Sequence, residues 1–176
     1  VDFPANFMLI ASMNPCPCGY YNHPEKECVC GPGIVQRYLN KVSGPLLDRI
    51  DLHVEVTPVK FDEMTSTRKT ESSKEIRERV IQGREKQKER FKGNPEVFCN
   101  AMMPSHLTKQ ICQINEAGKL LLKTAMERLG LSARAYDRIL KVARTIADIS
   151  GSDDIKVEHL AEAIQYRSLD REGWAG

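Results

Sequence analysis

The chain has 176 residues, with 26 Lys and Arg against 24 Asp and Glu, so its formal net charge is only +2. This small excess excludes a polybasic nucleic-acid binder, and no apolar run approaches the roughly 20 residues that a membrane-spanning helix needs. The first residues have no basic region ahead of an apolar stretch, so no secretory signal is expected. We predict a cytoplasmic protein of one domain or two small ones.

Residues 7–12 form a short continuous apolar run, Phe-Met-Leu-Ile-Ala-Ser. Such a run predicts a β-strand that is buried on both faces, as in a parallel sheet. Asn14 then lies at the carboxyl end of the predicted strand, which is the edge where ligands bind in open α/β sheets. A turn asparagine before a proline is the common alternative, and it is favoured when Asn14 is considered alone.

Four of the six cysteines lie close together, as Cys16-x-Cys18 and Cys28-x-Cys30 with nine residues between the pairs. Without a secretory signal, a thiol or metal role is favoured over a disulfide framework. Four thiolates can surround a zinc ion tetrahedrally, and His23 is a further candidate ligand. Zinc knuckles usually have two residues between paired cysteines, so reduced thiols in a surface loop remain an equal alternative.

Short helices are predicted over residues 33–42 and 46–51, followed by an alternating strand over residues 52–56. Arg49 lies between two acidic residues, Asp48 and Asp51. That pattern is typical of a local ion pair of little energetic worth.

The second half of the chain has helical periodicity. Residues 57–73 are polar and indicate a linker, and a highly charged helix follows that is usually solvated, although nucleic-acid contact stays open. Residues 72–168 are expected to make a small all-helical unit with its own core. The helices predicted in it cover residues 73–92, 104–114, 116–129, 131–149 and 157–167.

The helix over residues 131–149 has a clear beginning. Ser132 is a good N-cap, because its hydroxyl can accept a bond from a backbone N–H of the first turn. Arg134 lies in that first turn, where the helix dipole disfavours a cation, and Arg138 lies one turn further on the same side. A helix N-terminus together with an arginine suits a phosphate, whereas a solvated surface arginine is the equal alternative.

Three motifs occur in order along the chain: Met13-Asn14-Pro15-Cys-Pro-Cys-Gly, Ser43-Gly44-Pro45-Leu-Leu-Asp-Arg49-Ile-Asp-Leu, and Ser132-Ala-Arg134-Ala-Tyr-Asp-Arg-Ile-Leu-Lys-Val-Ala-Arg. Together they resemble the magnesium-chelatase-related AAA+ ATPases of the ComM/YifB type, over essentially the whole chain. The resemblance implies a mainly α fold, with a helical lid bundle after a partial α/β remnant of an AAA+ core. The implied divisions are a core remnant over residues 1–60, a linker over 61–72, a lid over 73–170 and a tail over 171–176.

The resemblance also implies roles for individual residues. Asn14 matches the sensor-one residue, which orients the attacking water near the γ-phosphate. Arg49 matches the arginine finger, which one subunit supplies to the ATP site of its neighbour. Arg134 matches the sensor-two arginine of the lid, with Arg138 as a further nucleotide-binding candidate. Phosphoryl transfer depends on such positioning and charge stabilisation more than on covalent chemistry.

The implied cofactors are ATP and Mg²⁺, and the implied partners are identical subunits in a hexameric ring. The family is thought to act on DNA, as a helicase-like branch-migration factor in DNA uptake and recombination. This chain lacks both a Gly-x-x-x-x-Gly-Lys-Ser/Thr loop and an apolar strand that ends in paired acids. We therefore expect the C-terminal portion of a longer ATP hydrolase, which alone neither binds ATP well nor hydrolyses it. A chelatase-type remodelling ATPase and a stand-alone helical adaptor with a zinc loop remain as alternatives.

Overall fold

The structure is a computed structural model that describes residues 7–59, 61–65 and 70–167, apart from the side chains of residues 62 and 63. Within these residues the chain forms helices and no strands, so the predicted mainly α fold is confirmed. Contacts divide the chain into two compact units, one that ends at Val42 and one that begins at Ser43. The tail predicted over residues 171–176 lies outside the described residues.

The helices form close to their predicted positions, with bounds that differ by a few residues at most ends. They are α1 Pro32–Leu39, α2 Gly44–Leu47, α3 Phe61–Met64, α4 Ser73–Arg90, α5 Ser105–Ile111, α6 Glu116–Leu129, α7 Ala133–Ile149 and α8 Val157–Gln165, with a 3₁₀ turn, Asn100–Met102, ahead of α5. The short helix α3 lies where the sequence predicts only a linker.

The two predicted strands are absent from the described residues, and those predictions are wrong. The four apolar side chains at residues 7–10 are between 64% and 83% exposed, instead of buried. In residues 52–56 the apolar side chains face solvent, whereas His53 is buried. A strand needs a neighbouring strand to satisfy its backbone N–H and C=O groups, and the described part of the chain supplies none.

Helix α7 is the centre of the second unit, where it packs against α4, α5 and α8. Its start is the predicted one, because the Ser132 hydroxyl accepts a bond from the Ala135 N–H at 3.3 Å. Its apolar side chains recur at helical spacing, so a single buried face meets the neighbouring helices. The buried apolar residues of that face are Ala135, Ile139, Leu140, Ala143 and Ala147.

Helix α6 approaches α8 closely through a glycine. A β-carbon added to Gly118 would lie 2.8 Å from Leu160 Cδ1, so only a residue without a side chain fits without movement. Leu122 and Leu160 are both buried in the same apolar cluster. The helix then ends at Gly130, whose φ of 60° is the left-handed conformation that glycine adopts at little cost.

A buried polar network joins α4, α7 and the 3₁₀ turn. The Asp148 carboxylate, which is 1% exposed, accepts bonds from Arg90 Nη1 at 2.7 Å and from Asn100 Nδ2 at 2.8 Å. It also accepts from Arg144 Nε at 3.2 Å, and Arg144 Nη1 reaches the Asp153 carbonyl at 2.6 Å. Each charge in this network therefore has an opposite charge or a carbonyl dipole beside it, as buried charges require.

Helix α4 is the charged helix that the sequence predicts to be solvated. It begins with a capping box, in which the Ser72 hydroxyl accepts from the Glu75 N–H at 3.3 Å and the Ser72 N–H donates to Glu75 Oε2 at 2.7 Å. Residues 73–82 are all exposed, and the buried residues of the helix, Gly83 and Gln87, come only in its second half.

Candidate functional site

The cysteines of the two Cys-x-Cys pairs come together in the first unit. Their four sulfur atoms all lie within 4.8 Å of one another. The Sγ–Sγ distances are 3.3 Å for Cys16 and Cys18, 3.5 Å for Cys18 and Cys28, and 3.7 Å for Cys16 and Cys28. Zinc–sulfur bonds of about 2.3 Å in a tetrahedron place neighbouring sulfurs about 3.8 Å apart. The cluster that also includes Cys30 thus has the size and the ligand set of a tetrahedral metal centre.

A tight turn places the first pair of sulfurs. The Gly19 N–H donates to the Cys16 carbonyl at 3.0 Å, and Gly19 has a φ of +82°, a conformation that favours glycine. The turn directs the Tyr21 N–H to Cys16 Sγ at 3.3 Å. The second pair precedes α1, whose N-cap is Gly31 and whose first residue is Pro32. Glycine and proline residues next to each pair therefore determine the local backbone conformation.

The four thiols differ in acidity. The Tyr20 backbone N–H is the main cause that lowers the pKa of Cys18, to about 6. Burial works against the Cys16 thiolate, yet bonds from the Tyr21 N–H and other donors lower the pKa of Cys16 below its ordinary value. The Cys30 N–H favours the Cys28 thiolate, but burial and the neighbouring sulfurs raise the pKa of Cys28 to about 12. Four negative sulfurs this close repel one another, so a cation is what would stabilise the fully ionised cluster.

His23 lies outside the sulfur cluster. Its Nδ1 accepts bonds from the backbone N–H groups of Glu25 and Lys26, both at 3.1 Å. Its ring meets the Tyr20 ring edge-on, with 5.6 Å between the centroids. The histidine thus holds the loop between the two cysteine pairs in shape.

Asn14 lies in the exposed irregular segment directly before the cysteine cluster. Its Nδ2 is 4.0 Å from the point that a β-carbon on Gly19 would occupy. The predicted strand ahead of it is absent, so the described residues do not place it at a sheet edge. Its sensor-one role stays a prediction.

Arg49 follows α2 in the second unit and is exposed. Its Nη1 donates to the Pro45 carbonyl at 2.6 Å. The flanking carboxylates are engaged by other arginines, since Asp51 pairs with Arg138 and Asp48 lies 3.9 Å from Arg167 Nη2. Among the described residues no ion pair is formed by Arg49, so the local ion pair considered for it does not occur.

Arg134 is the second residue of α7, and it is exposed. The first turn of α7 contains no acidic residue. Within the described part of the chain, the Arg134 guanidinium has neither a hydrogen bond nor an ion pair. A cation and the positive end of a helix dipole therefore lie side by side, which is an arrangement that an anion stabilises.

Arg138 is half-buried and donates to the Asp51 carboxylate. This pair joins residues that are 87 positions apart in the chain. The sequence gives no sign of the pairing, because neither residue lies in a local pattern that includes the other. The nucleotide-binding role predicted for Arg138 is not tested by this contact.

Comparison with known proteins gives two family matches that together span most of the chain. The family described as "Magnesium chelatase, subunit ChlI" matches residues 1–64, and the one described as "Magnesium chelatase, subunit ChlI C-terminal" matches residues 70–167. The resemblance that the three motifs indicate is confirmed by these matches.

Several curated relatives are similar to almost the whole chain. The competence protein ComM of Haemophilus influenzae is 42% identical over 97% of this chain and 32% of its own length. The uncharacterized protein YifB of Escherichia coli is 41% identical over 97% of the chain and 33% of its own length. The uncharacterized protein Mb2921c of Mycobacterium bovis is 36% identical over 94% of the chain and 32% of its own length. The chain thus spans about a third of each of these relatives.

None of the helices that the structure describes combines the length and the hydropathy that crossing a bilayer requires.

Proposed function

This chain belongs to the magnesium chelatase subunit ChlI C-terminal family, and on that basis we propose that it is part of an AAA+ ATPase motor that hydrolyses ATP with Mg²⁺. Within the motor, Asn14 orients the attacking water and Arg134 reports the bound nucleotide to the helical lid. Arg49 reaches the nucleotide of the neighbouring subunit, so the subunits act as a ring, which we propose to be a hexamer.

The observation that carries this proposal is the exposed environment of two arginines, Arg49 and Arg134. Arg49 and Arg134 are both exposed, and within the described residues neither has a carboxylate partner. The acids on either side of Arg49 are bound to Arg138 and Arg167 instead. Two guanidinium groups are therefore available to an anionic ligand, as a γ-phosphate contact requires, because an arginine fork matches phosphate oxygens bidentately.

The cysteine cluster supplies a structural metal centre in the same proposal. The four sulfurs already have the spacing of a tetrahedral site, and thiolates are ligands that zinc prefers. Zinc bound by Cys16, Cys18, Cys28 and Cys30 would fix the loop between Asn14 and α1. Its role is structural, because all four positions of the tetrahedron are filled by the protein.

DNA is the substrate that we propose for the motor, in a helicase-like or branch-migration activity during DNA uptake or recombination. The name of the Haemophilus influenzae relative refers to competence, which is the ability of a cell to take up DNA. In this chain, Arg77 and Arg84 lie seven residues apart on α4, both exposed, and in the described residues neither forms an ion pair. Two turns of helix separate them, so both guanidinium groups face one side, where phosphates could be contacted.

The family's own description favours a second candidate, a chelatase-type remodelling ATPase that acts on a protein or metal-insertion partner. The two candidates differ in their response to DNA. A DNA motor should hydrolyse ATP faster when branched DNA is added, with an affinity for DNA that falls steeply as salt rises. A remodelling ATPase should hydrolyse ATP at one rate with or without DNA.

The test of the motor itself uses the full-length protein that contains this chain. Arg49→Ala should lower ATP turnover by about 10³-fold or more while nucleotide affinity stays unchanged, because an arginine finger contributes on that scale. Arg128→Ala, which removes an exposed arginine on α6, is the matched control and should leave turnover unchanged.

Mixing subunits then tests whether Arg49 acts across the subunit boundary. Arg49→Ala subunits are mixed with subunits in which only the phosphate-binding loop is disabled. Each mixed boundary that joins an intact loop to an intact Arg49 should hydrolyse ATP, so part of the turnover should return. Mixtures as inactive as their components would refute the role in trans.

A further inference from the structure

Three contacts attach the segment around Arg49 to the helical lid. Arg138 of α7 donates to the Asp51 carboxylate, and Arg167 donates to the Ile50 carbonyl. The His53 N–H donates to the Tyr166 carbonyl at 2.7 Å. These contacts join two parts of the chain that are separated by 87 to 117 residues, so they define where the segment lies.

The same contacts hold this segment in place, together with the bond between His53 Nε2 and the Leu47 carbonyl at 3.3 Å. Within the described residues it has no strand pairing, and its apolar residues Leu52 and Val54 face solvent. In contrast, Arg167 is 1% exposed and His53 is 5% exposed. The buried anchors thus lie on both sides of the contact, Arg167 after α8 and His53 in the segment, and the position of the segment depends on them.

The geometry relates two arginines that the proposed function places at different nucleotides. Arg138 follows Arg134 by about one helical turn on α7, and Asp51 follows Arg49 by two residues. The pair formed by Arg138 and Asp51 is therefore a short link between the N-terminal part of α7, which carries Arg134, and the segment that carries Arg49.

We infer that Arg138 is a positioning residue, which acts through Asp51 to hold the Arg49 segment on helix α7. This inference rests on the proposed function, since it assigns Arg49 and Arg134 to ATP sites. When nucleotide moves the lid through Arg134, the Arg49 segment moves with it, so the state of one ATP site is passed to the next. Arg138 acts at a carboxylate of its own chain in this role, rather than at a phosphate.

The link itself is tested by amide hydrogen exchange on the chain, which needs no ATP turnover. Arg138→Gln and Asp51→Asn should each increase the exchange rate of the His53 N–H at least threefold, while amides in the middle of α6 keep their rates. Glu71→Gln is the matched control, because it removes an exposed pair between Arg79 of α4 and Glu71, which precedes that helix. Unchanged exchange at His53 in both variants would overturn the link.

Kinetics of the full-length protein distinguish positioning from nucleotide binding. Both variants should lower kcat by a similar factor of about 2 to 5, with the KM for ATP within about twofold of wild type, which matches the modest strength of a partly exposed ion pair. The charge-reversed double variant, Asp51→Arg with Arg138→Asp, should recover part of the turnover. A large rise in KM for Arg138→Gln alone would overturn the inference and assign Arg138 to nucleotide instead.

Failure of the proposed function gives a different result from failure of this inference. A wild-type protein that does not hydrolyse ATP would remove the motor, and the positioning role with it. An active wild type in which neither variant changes kcat would remove only the positioning role, and the motor would stand.

Discussion

Asp148→Asn removes the only carboxylate at the centre of the described polar network and leaves its shape nearly unchanged. The wild-type carboxylate accepts bonds from Arg90, Asn100 and Arg144, and it is 1% exposed. The amide keeps one acceptor oxygen and presents an NH₂ group to the donors on the other side. Arg144, which is 3% exposed, then lacks its counter-charge.

Breaking a buried ion pair from one side costs about 3–5 kcal/mol, because the remaining charge stays buried. That loss is a large share of the roughly 5–15 kcal/mol by which domains are stable. For a unit of this size it corresponds to a fall in Tm of about 10–25 °C. Thermal unfolding followed by circular dichroism at 222 nm measures it, since most described helices belong to the second unit.

The control for this prediction is Glu71→Gln, which breaks an exposed ion pair with Arg79 and should cost less than about 1 kcal/mol. A fall in Tm for Asp148→Asn no larger than that of the control would refute the reasoning.

The same substitution has a pH signature with a defined sign. Burial alone would raise the pKa of Asp148, but the bonds from Arg90 and Asn100 hold it below its usual range. A carboxyl whose pKa is depressed by folding contributes its full stability above its unfolded pKa, near 3.9, and loses it as the pH falls through the folded value. The difference in stability between wild type and Asp148→Asn should therefore be constant near neutral pH and shrink below about pH 4.

Three other predictions concern the metal centre, helix packing and the lid. Purified protein should contain about one zinc per chain. Cys28→Ser should lose the metal and also the hydrogen-exchange protection of α1, because structural zinc contributes folding free energy directly. Metal-free protein with an ordered cysteine loop would contradict the site. Gly118→Ala should destabilise the protein by about 1–3 kcal/mol in urea unfolding, since its β-carbon would meet Leu160 at 2.8 Å, whereas Gly33→Ala, which has open space around it, should be neutral or slightly stabilising. In the full-length protein, Arg134→Ala should weaken ATP binding and turnover together, and unchanged values of both would remove its sensor-two role.

Local patterns predict the helical part of this fold well. The bounds of α6 are the predicted ones, Glu116–Leu129, because its apolar period and its terminal glycine both act within a few residues. The cap of α7 at Ser132 is confirmed for the same reason. The clustering of the four cysteines can also be predicted from the sequence, since the two pairs lie near one another in it.

The features that the sequence did not predict correctly depend on interactions between distant parts of the chain. An apolar run such as residues 7–12 has the composition of a buried strand, but the strand forms only when a partner supplies backbone hydrogen bonds. The link between Arg138 and Asp51 has no local pattern either, because charged residues are frequent and their pairing depends on the tertiary fold. The sequence therefore singled out Arg138 and Asp51 for other reasons and missed the contact between them, while the roles of Arg49 and Arg134 stay predictions.

The exposed apolar residues 7–10 have a practical consequence for anyone who purifies this chain. Four adjacent large hydrophobic side chains in water favour association between molecules, which grows with concentration even when every helix is intact. Precipitation of a concentrated sample would then result from association through this one stretch. Light scattering should detect less association in Leu9→Lys or Ile10→Lys variants than in the wild type. Crystallisation trials would gain from such variants before any change to the helices is considered.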